Sequence, residues 1–255
     1  VEFSGIAAMR DFAITIAGAI GGAALAVAII FAMASNGFMP INDRQMQVYL
    51  MQHPDLAPAM MGRAQQQEDA KAQARQQAAL DKVGQAALFD PAIAFVTGPA
   101  NAKKTLVEFF DYDCPYCRAS LPALHKYYEA HKGDTRFSFI EFPIASLHGP
   151  GAVAASLASL AARKQPAHFL DFHFLLMGEE DSITPEMIYA DAAKAGLDVA
   201  RLKADMNDPA IQKTLDASLA LAKTLNVNAT PTFIFNGTLK SGAVDDASLA
   251  DALKS

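Results

Sequence analysis

Cysteine is scarce in this sequence: there are 2 in 255 residues, Cys114 and Cys117. Two cysteines cannot build a disulfide framework; they allow one bridge, one redox pair, or half of a metal site. Runs rich in lysine and arginine are missing, and the net charge is −6. That argues against nucleic acid as a partner, since phosphate binding needs clustered cations. Ionised residues are absent from Phe12 to Ala34. Proline is absent from the long helix-prone stretch between Pro58 and Leu88, and strict heptads are missing there too, so a regular coiled coil is not supported.

The apolar fraction is 52%, enough for a sizeable core. The charge-free run Phe12–Ala34 is long enough to cross a bilayer as a helix and longer than an ordinary export signal core. It reads as a signal anchor in the inner membrane. The small-residue triplet Ala32-Met33-Ala34 offers the alternative of a cleaved signal peptide. Arg10 beside it favours a cytoplasmic N-terminus and an exported body. Residues 1–34 are therefore expected to be the anchor or signal. Residues 35–88 follow as a helical stalk, rich in Ala and Gln, which buries little by itself. A stalk of this kind serves as an oligomerisation element or as a solvated spacer.

A compact domain is expected over residues 89–255. Ile93–Val96 and Leu106–Phe110 read as strands, followed by a helix from the cysteines to about Ala130. Arg136–Phe142 alternates apolar and polar residues as a strand does. From about 150 to 225 the pattern is helical, with starts at Thr184-Pro185, Asp198 and Asp208-Pro209. Thr232–Phe235, the turn pair Asn236-Gly237 and Thr238–Val244 make a hairpin. Asp245 or Asp246 caps a last helix. The order is β, β, α, β, helical block, β, β, α: an α/β thioredoxin fold with an inserted helical domain.

Cys114-Pro115-Tyr116-Cys117 stands where a strand feeds a helix. Unpaired N–H groups and the helix dipole there favour a thiolate, the form that attacks disulfides. Cys117, one turn on, is placed to close the disulfide or to expel a substrate held on Cys114. Pro115 suits the first helical turn and, with Tyr116, tunes the thiol. Asp111 and Asp113 are expected to oppose the thiolate if they lie near it. Glu108, in a strand that should be buried, is a candidate proton relay for Cys117; the plainer reading is a hydrogen-bonded or edge-facing Glu. Thr230-Pro231 reads as a cis-proline turn opposite the cysteines, exposing the Thr230 backbone to a substrate strand. A zinc site needs two more ligands, and the spacing of His168 and His173 turns them apart on a helix. Cys114 and Cys117 as copper(I) ligands stay open. His125, His131, His148, His168 and His173 read as surface or rim residues. No cofactor is implied beyond the redox-active Cys114–Cys117 pair itself.

These residues together resemble the DsbA-like family of exported thiol-disulfide oxidoreductases. The resemblance is carried by Leu106 to Cys117, the helical insertion and Ala229-Thr230-Pro231-Thr232-Phe233. Threonine before the proline and the N-terminal helical segment resemble the ScsC-like (suppressor of copper sensitivity) branch, some of whose members are trimeric disulfide isomerases. The resemblance implies a periplasmic, self-associating disulfide isomerase or reductase. Its clients would be exported proteins with disulfides, and a membrane-bound reductase would keep the pair reduced. A dithiol oxidase is the alternative from the same residues. A copper-binding or copper-tolerance protein is the alternative from another class.

Overall fold

The computed structural model describes residues 43–254, and the anchor expected at 12–34 lies outside them. Among the described residues no helix is long and apolar enough to cross a membrane. The described residues fall into two units that part between Gln66 and Gln67.

In the first unit, helix α1 (Asp43–Gln52) stops at His53-Pro54, because the ring of Pro54 disfavours helical backbone in the residue before it. Helix α2 (Leu56–Val83) then begins. Met46, Val48, Tyr49, Leu50 and Met51 on α1, and Met60 and Met61 on α2, are exposed.

The second unit is built on a five-stranded sheet: β1 (Phe95–Thr97), β2 (Lys104–Phe110), β3 (Thr135–Glu141), β4 (Thr232–Phe235) and β5 (Thr238–Ser241), in the order β1-β3-β2-β4-β5. β2 and β3 are parallel; the other pairs are antiparallel. The parallel pair needs a crossover, supplied by helix α4 (Pro115–His131). Six helices separate β3 from β4: α5 (Ala145–His148), α6 (Pro150–Ala162), α7 (Phe169–Met177), α8 (Pro185–Lys194), α9 (Val199–Met206) and α10 (Pro209–Thr224). Helix α11 (Asp246–Ala252) closes the chain. This is the thioredoxin fold with a helical insertion.

Local chemistry sets the boundaries. Thr184, Asp198, Asp208 and Asp245 each accept a backbone N–H at a helix start, satisfying donors that the helix cannot. Asn236 and Gly237 both take positive φ, 48° and 86°, which the tight hairpin turn requires.

Strand parity sorts the core into two layers. Leu106 and Phe110 of β2, with Phe137, Phe139, Phe233 and Phe235, face one cluster that also holds Cys114, Cys117 and the inserted helices. Val107 and Phe109, with Ile140 and Ile234, face the other. Glu108 therefore shares the parity of Leu106 and Phe110, the cysteine side.

The second layer also contains Leu80, Leu88 and Phe89. The compact unit thus reaches further back than the expected start at Phe89, because the end of the long helix covers a sheet face that would otherwise be wet. The expected single run to Leu88 is interrupted at Gly84, whose φ of 76° an L side chain adopts at a cost. A short helix α3 (Gln85–Leu88) follows. Gln76 and Gln77 of α2 donate to the carbonyls of Asn226 and Gly237 at 2.7 and 3.0 Å.

Candidate active site

β2, the central strand, delivers the chain at its C-terminal end to Asp111, and a turn closes with Cys114 N–H on the Asp111 carbonyl at 3.1 Å. Cys114 is the N-cap of α4 with extended backbone, and Pro115 fills the first helical position, where a missing N–H costs nothing. The Thr230–Pro231 bond is cis. That turn brings Thr230 onto the cysteine: the Cys114 thiol donates to the Thr230 carbonyl at 3.1 Å. Cys114 is 2% exposed and Cys117 1%, whereas Tyr116 between them is 64% exposed. Both sulfurs are free thiols.

The pair is electrostatically asymmetric. The Cys114 thiol is lowered from its ordinary 9.0 to about 5, first by a hydrogen bond from Cys117. Burial opposes this. Thr230 and the backbone N–H groups of Cys117 and Tyr116 add to the lowering. Cys117 is pushed well above its ordinary value by burial, then by its bond to Cys114 and by the nearby Glu108 charge. Glu108, 1% exposed, is raised to about 8 by burial first and Cys114 second. Its Oε2 has no hydrogen-bond partner among the described residues, and it lies buried on the central strand, not facing an edge. One thiol is poised as a nucleophile, the other holds its proton, and a carboxyl with a near-neutral pKa lies beside them.

Asp111 and Asp113 do something the sequence did not suggest. Their carboxylates are absent from the leading causes of the Cys114 shift. They tie the cysteine loop to the insertion instead. Asp111 accepts from Ile144 N–H at 2.7 Å and faces His148 Nδ1 at 2.7 Å. Asp113 accepts from Ile183 N–H at 2.8 Å and from Arg118 at 3.0 Å. Of the histidines read as surface or rim residues, His173 departs from that reading: it is buried in the core, whereas His148 is a half-buried rim residue paired with Asp111.

His173 meets the Tyr112 hydroxyl at 2.9 Å, and that hydroxyl donates to Ser159, which donates to Glu141 at 2.7 Å. Glu141 pairs with Arg163. Burial holds His173 down to about 3, hence neutral, and raises Glu141 despite Arg163. This buried chain anchors Tyr112, the residue between the two aspartates. Its members are scattered over β3, α6 and α7, and no local pattern marks them. Leu147, beside His148, is 73% exposed. Among the described residues no cluster of three or more His, Cys, Asp and Glu is placed to hold a metal ion.

The thioredoxin family model matches residues 92–255. The chain belongs to the thioredoxin family. A thioredoxin-like oxidoreductase from Silicibacter pomeroyi is 36% identical, with a TM-score of 0.60 over 66% of this chain and 95% of that one. A linker-deletion variant of Proteus mirabilis ScsC is 27% identical, with a TM-score of 0.64 over 85% of this chain and 96% of that one. A periplasmic thioredoxin-like protein from Salmonella enterica is 31% identical, with a TM-score of 0.58 over 67% and 93%. Among curated relatives, disulfide bond formation protein D of Bacillus subtilis is 32% identical over 55% of this chain and 67% of its own length. The Na(+)/H(+) antiporter NhaA of Herminiimonas arsenicoxydans is 34% identical over 65% of this chain. The chain spans about a quarter of that antiporter's length, 26%.

Proposed function

We propose that this DsbA-like protein is an exported thiol-disulfide oxidoreductase working as a self-associating protein-disulfide isomerase or reductase in the periplasm. The observation that carries the exchange chemistry is the asymmetry of the pair: Cys114 lowered to about 5 against Thr230, Cys117 raised and buried beside Glu108. In this reading Cys114 attacks a client disulfide, and the client strand pairs with the Thr230 backbone. The mixed disulfide is resolved by a client thiol or by Cys117, whose proton passes to Glu108. The likeness to Proteus mirabilis ScsC supports the ScsC-like resemblance that implies the isomerase direction, and the periplasmic relative from Salmonella supports the compartment. Residues 12–34 would carry the chain to or into the inner membrane. The exposed methionines and Tyr49 of the first unit would supply the contact between copies, in a trimer or another oligomer. A membrane-bound reductase would then keep the pair reduced.

A low nucleophile pKa also stabilises the reduced pair and so makes the disulfide oxidising. That favours the second reading, a dithiol oxidase, to which the Bacillus subtilis relative is similar. Refolding of a scrambled-disulfide protein, with Cys114→Ala as control, decides between them together with the redox state of the cysteines in the cell. Rescue of the scrambled protein by a mostly reduced pair is the expected result. A mostly oxidised pair without rescue overturns the isomerase reading.

A further inference from the structure

Arg118 is the most heavily committed side chain near the cysteines, and the exchange chemistry makes no use of it. It lies one helical turn after Cys114, with its N–H on the Cys114 carbonyl at 3.1 Å. A guanidinium carries five N–H donors in a fixed plane. Four hydrogen bonds leave this one: Nε to the Tyr112 carbonyl at 3.0 Å, Nη1 to the Glu180 carbonyl at 2.9 Å, and Nη2 to the Asp181 carbonyl at 2.9 Å and to Asp113 Oδ1 at 3.0 Å. The acceptors come from two segments, the cysteine loop and the connection between α7 and α8. Asp113 reaches across to the same connection through Ile183 N–H.

Asp113 presents a problem that Arg118 solves. It is a buried carboxylate one residue before the nucleophile, and an anion so close would disfavour a thiolate. Its Oδ2 has no hydrogen-bond partner among the described residues. That oxygen lies against Gly151, where a Cβ would sit 2.9 Å from it and 2.4 Å from the Ile183 carbonyl. The two donors to this carboxylate from beyond it, the Ile183 N–H and Arg118, converge on Oδ1, and of the two only the guanidinium carries a compensating charge. The other charges around the pair are accounted for: Glu108 arises from β2, and Asp111 is held by His148.

The geometry points to Arg118 as a positioning residue that neutralises Asp113 and fastens the Glu180–Ile183 segment to the first turn of the cysteine helix. The Cys114 thiolate thereby meets a client disulfide without a competing anion beside it, and against a fixed wall of the insertion. This rests on the exchange reading only in taking Cys114 as the nucleophile.

The test titrates the reduced full-length chain by the ultraviolet absorbance of the thiolate. With two cysteines in the sequence, the signal belongs to this pair. Arg118→Gln is expected to raise the Cys114 pKa by about one unit, the size of an uncompensated neighbouring carboxylate. Asp113→Asn combined with Arg118→Gln is expected to bring it back to the unmodified value. A merely structural arginine moves both variants alike. Arg118→Lys keeps the charge but cannot span four oxygens. Its thiol is expected to titrate as in the unmodified protein, while proteolysis near Glu180–Ile183 quickens several-fold. An unchanged pKa in Arg118→Gln, a double variant as shifted as the single, or a lysine variant shifted as far as the glutamine overturns the assignment. The titration needs no client, so failure of the refolding assay leaves this result standing, and failure here leaves that one standing.

Discussion

Glu108→Gln offers a direct measure of what the buried carboxyl costs. In the folded reduced protein Glu108 is raised from 4.5 to about 8, first by burial and second by Cys114. Between those values the folded chain keeps the proton and the unfolded chain releases it. An acid whose folded pKa is raised lowers stability as pH climbs through the window. The full shift corresponds to roughly 5 kcal/mol, a large share of the ~5–15 kcal/mol that holds a domain together. Glutamine has nearly the same shape and cannot ionise. The gap in unfolding free energy between variant and unmodified protein should be small near pH 4.5 and widen toward several kcal/mol in the variant's favour above about pH 8. Denaturant unfolding of the reduced protein across that range measures it. Repeating the series on the disulfide form removes the Cys114 thiolate, and with it the second cause, so the gap should widen over a narrower window. A gap that stays constant with pH in the reduced protein refutes the reasoning. The same variant should slow release of a mixed disulfide through Cys117, because the group placed to take its proton is gone.

Other substitutions test other parts of the arrangement. Cys117→Ala removes the largest cause of the Cys114 shift, so the remaining thiol should titrate upward from about 5 toward its ordinary 9.0 in an ultraviolet pH titration. Gly151→Ala would put a Cβ at 2.4 Å from the Ile183 carbonyl and 2.9 Å from Asp113 Oδ2, and should cost about 1–3 kcal/mol in denaturant unfolding. Leu88→Ala empties a buried position on the sheet face opposite the cysteines. It should cost about 2–5 kcal/mol in the same assay and leave the Cys114 titration in place.

The element order was legible in the sequence because its signals are local. Asp198, Asp208 and Asp245 announce helix starts through their own side chains. Asn236-Gly237 announces its turn because only those residue types accept the backbone angles. The cysteine pair announces its chemistry because a helix N-terminus acts on whatever residue caps it. Thr230-Pro231 was readable once the cysteines were in view.

What escaped the sequence was pairing across distance. The roles of Asp111 and Asp113 depend on Ile144, His148 and Ile183, which approach only when the insertion folds back over the cysteine loop. His173 looks like any helix histidine until burial among Phe110, Phe139, Phe169 and Tyr112 makes it a neutral core residue. A single glycine in a run of good helix formers can be tolerated or can end the helix, so Gly84 alone does not mark the break.

The sequence by itself determined that Cys114 and Cys117 sit one turn apart at a helix start, because spacing and capping suffice for that. Only the tertiary structure decided how the pair is biased. It brought Thr230 against one sulfur, buried Glu108 beside the other, and paired Arg118 with Asp113. Burial and charge at a site are sums over neighbours that the chain order does not name.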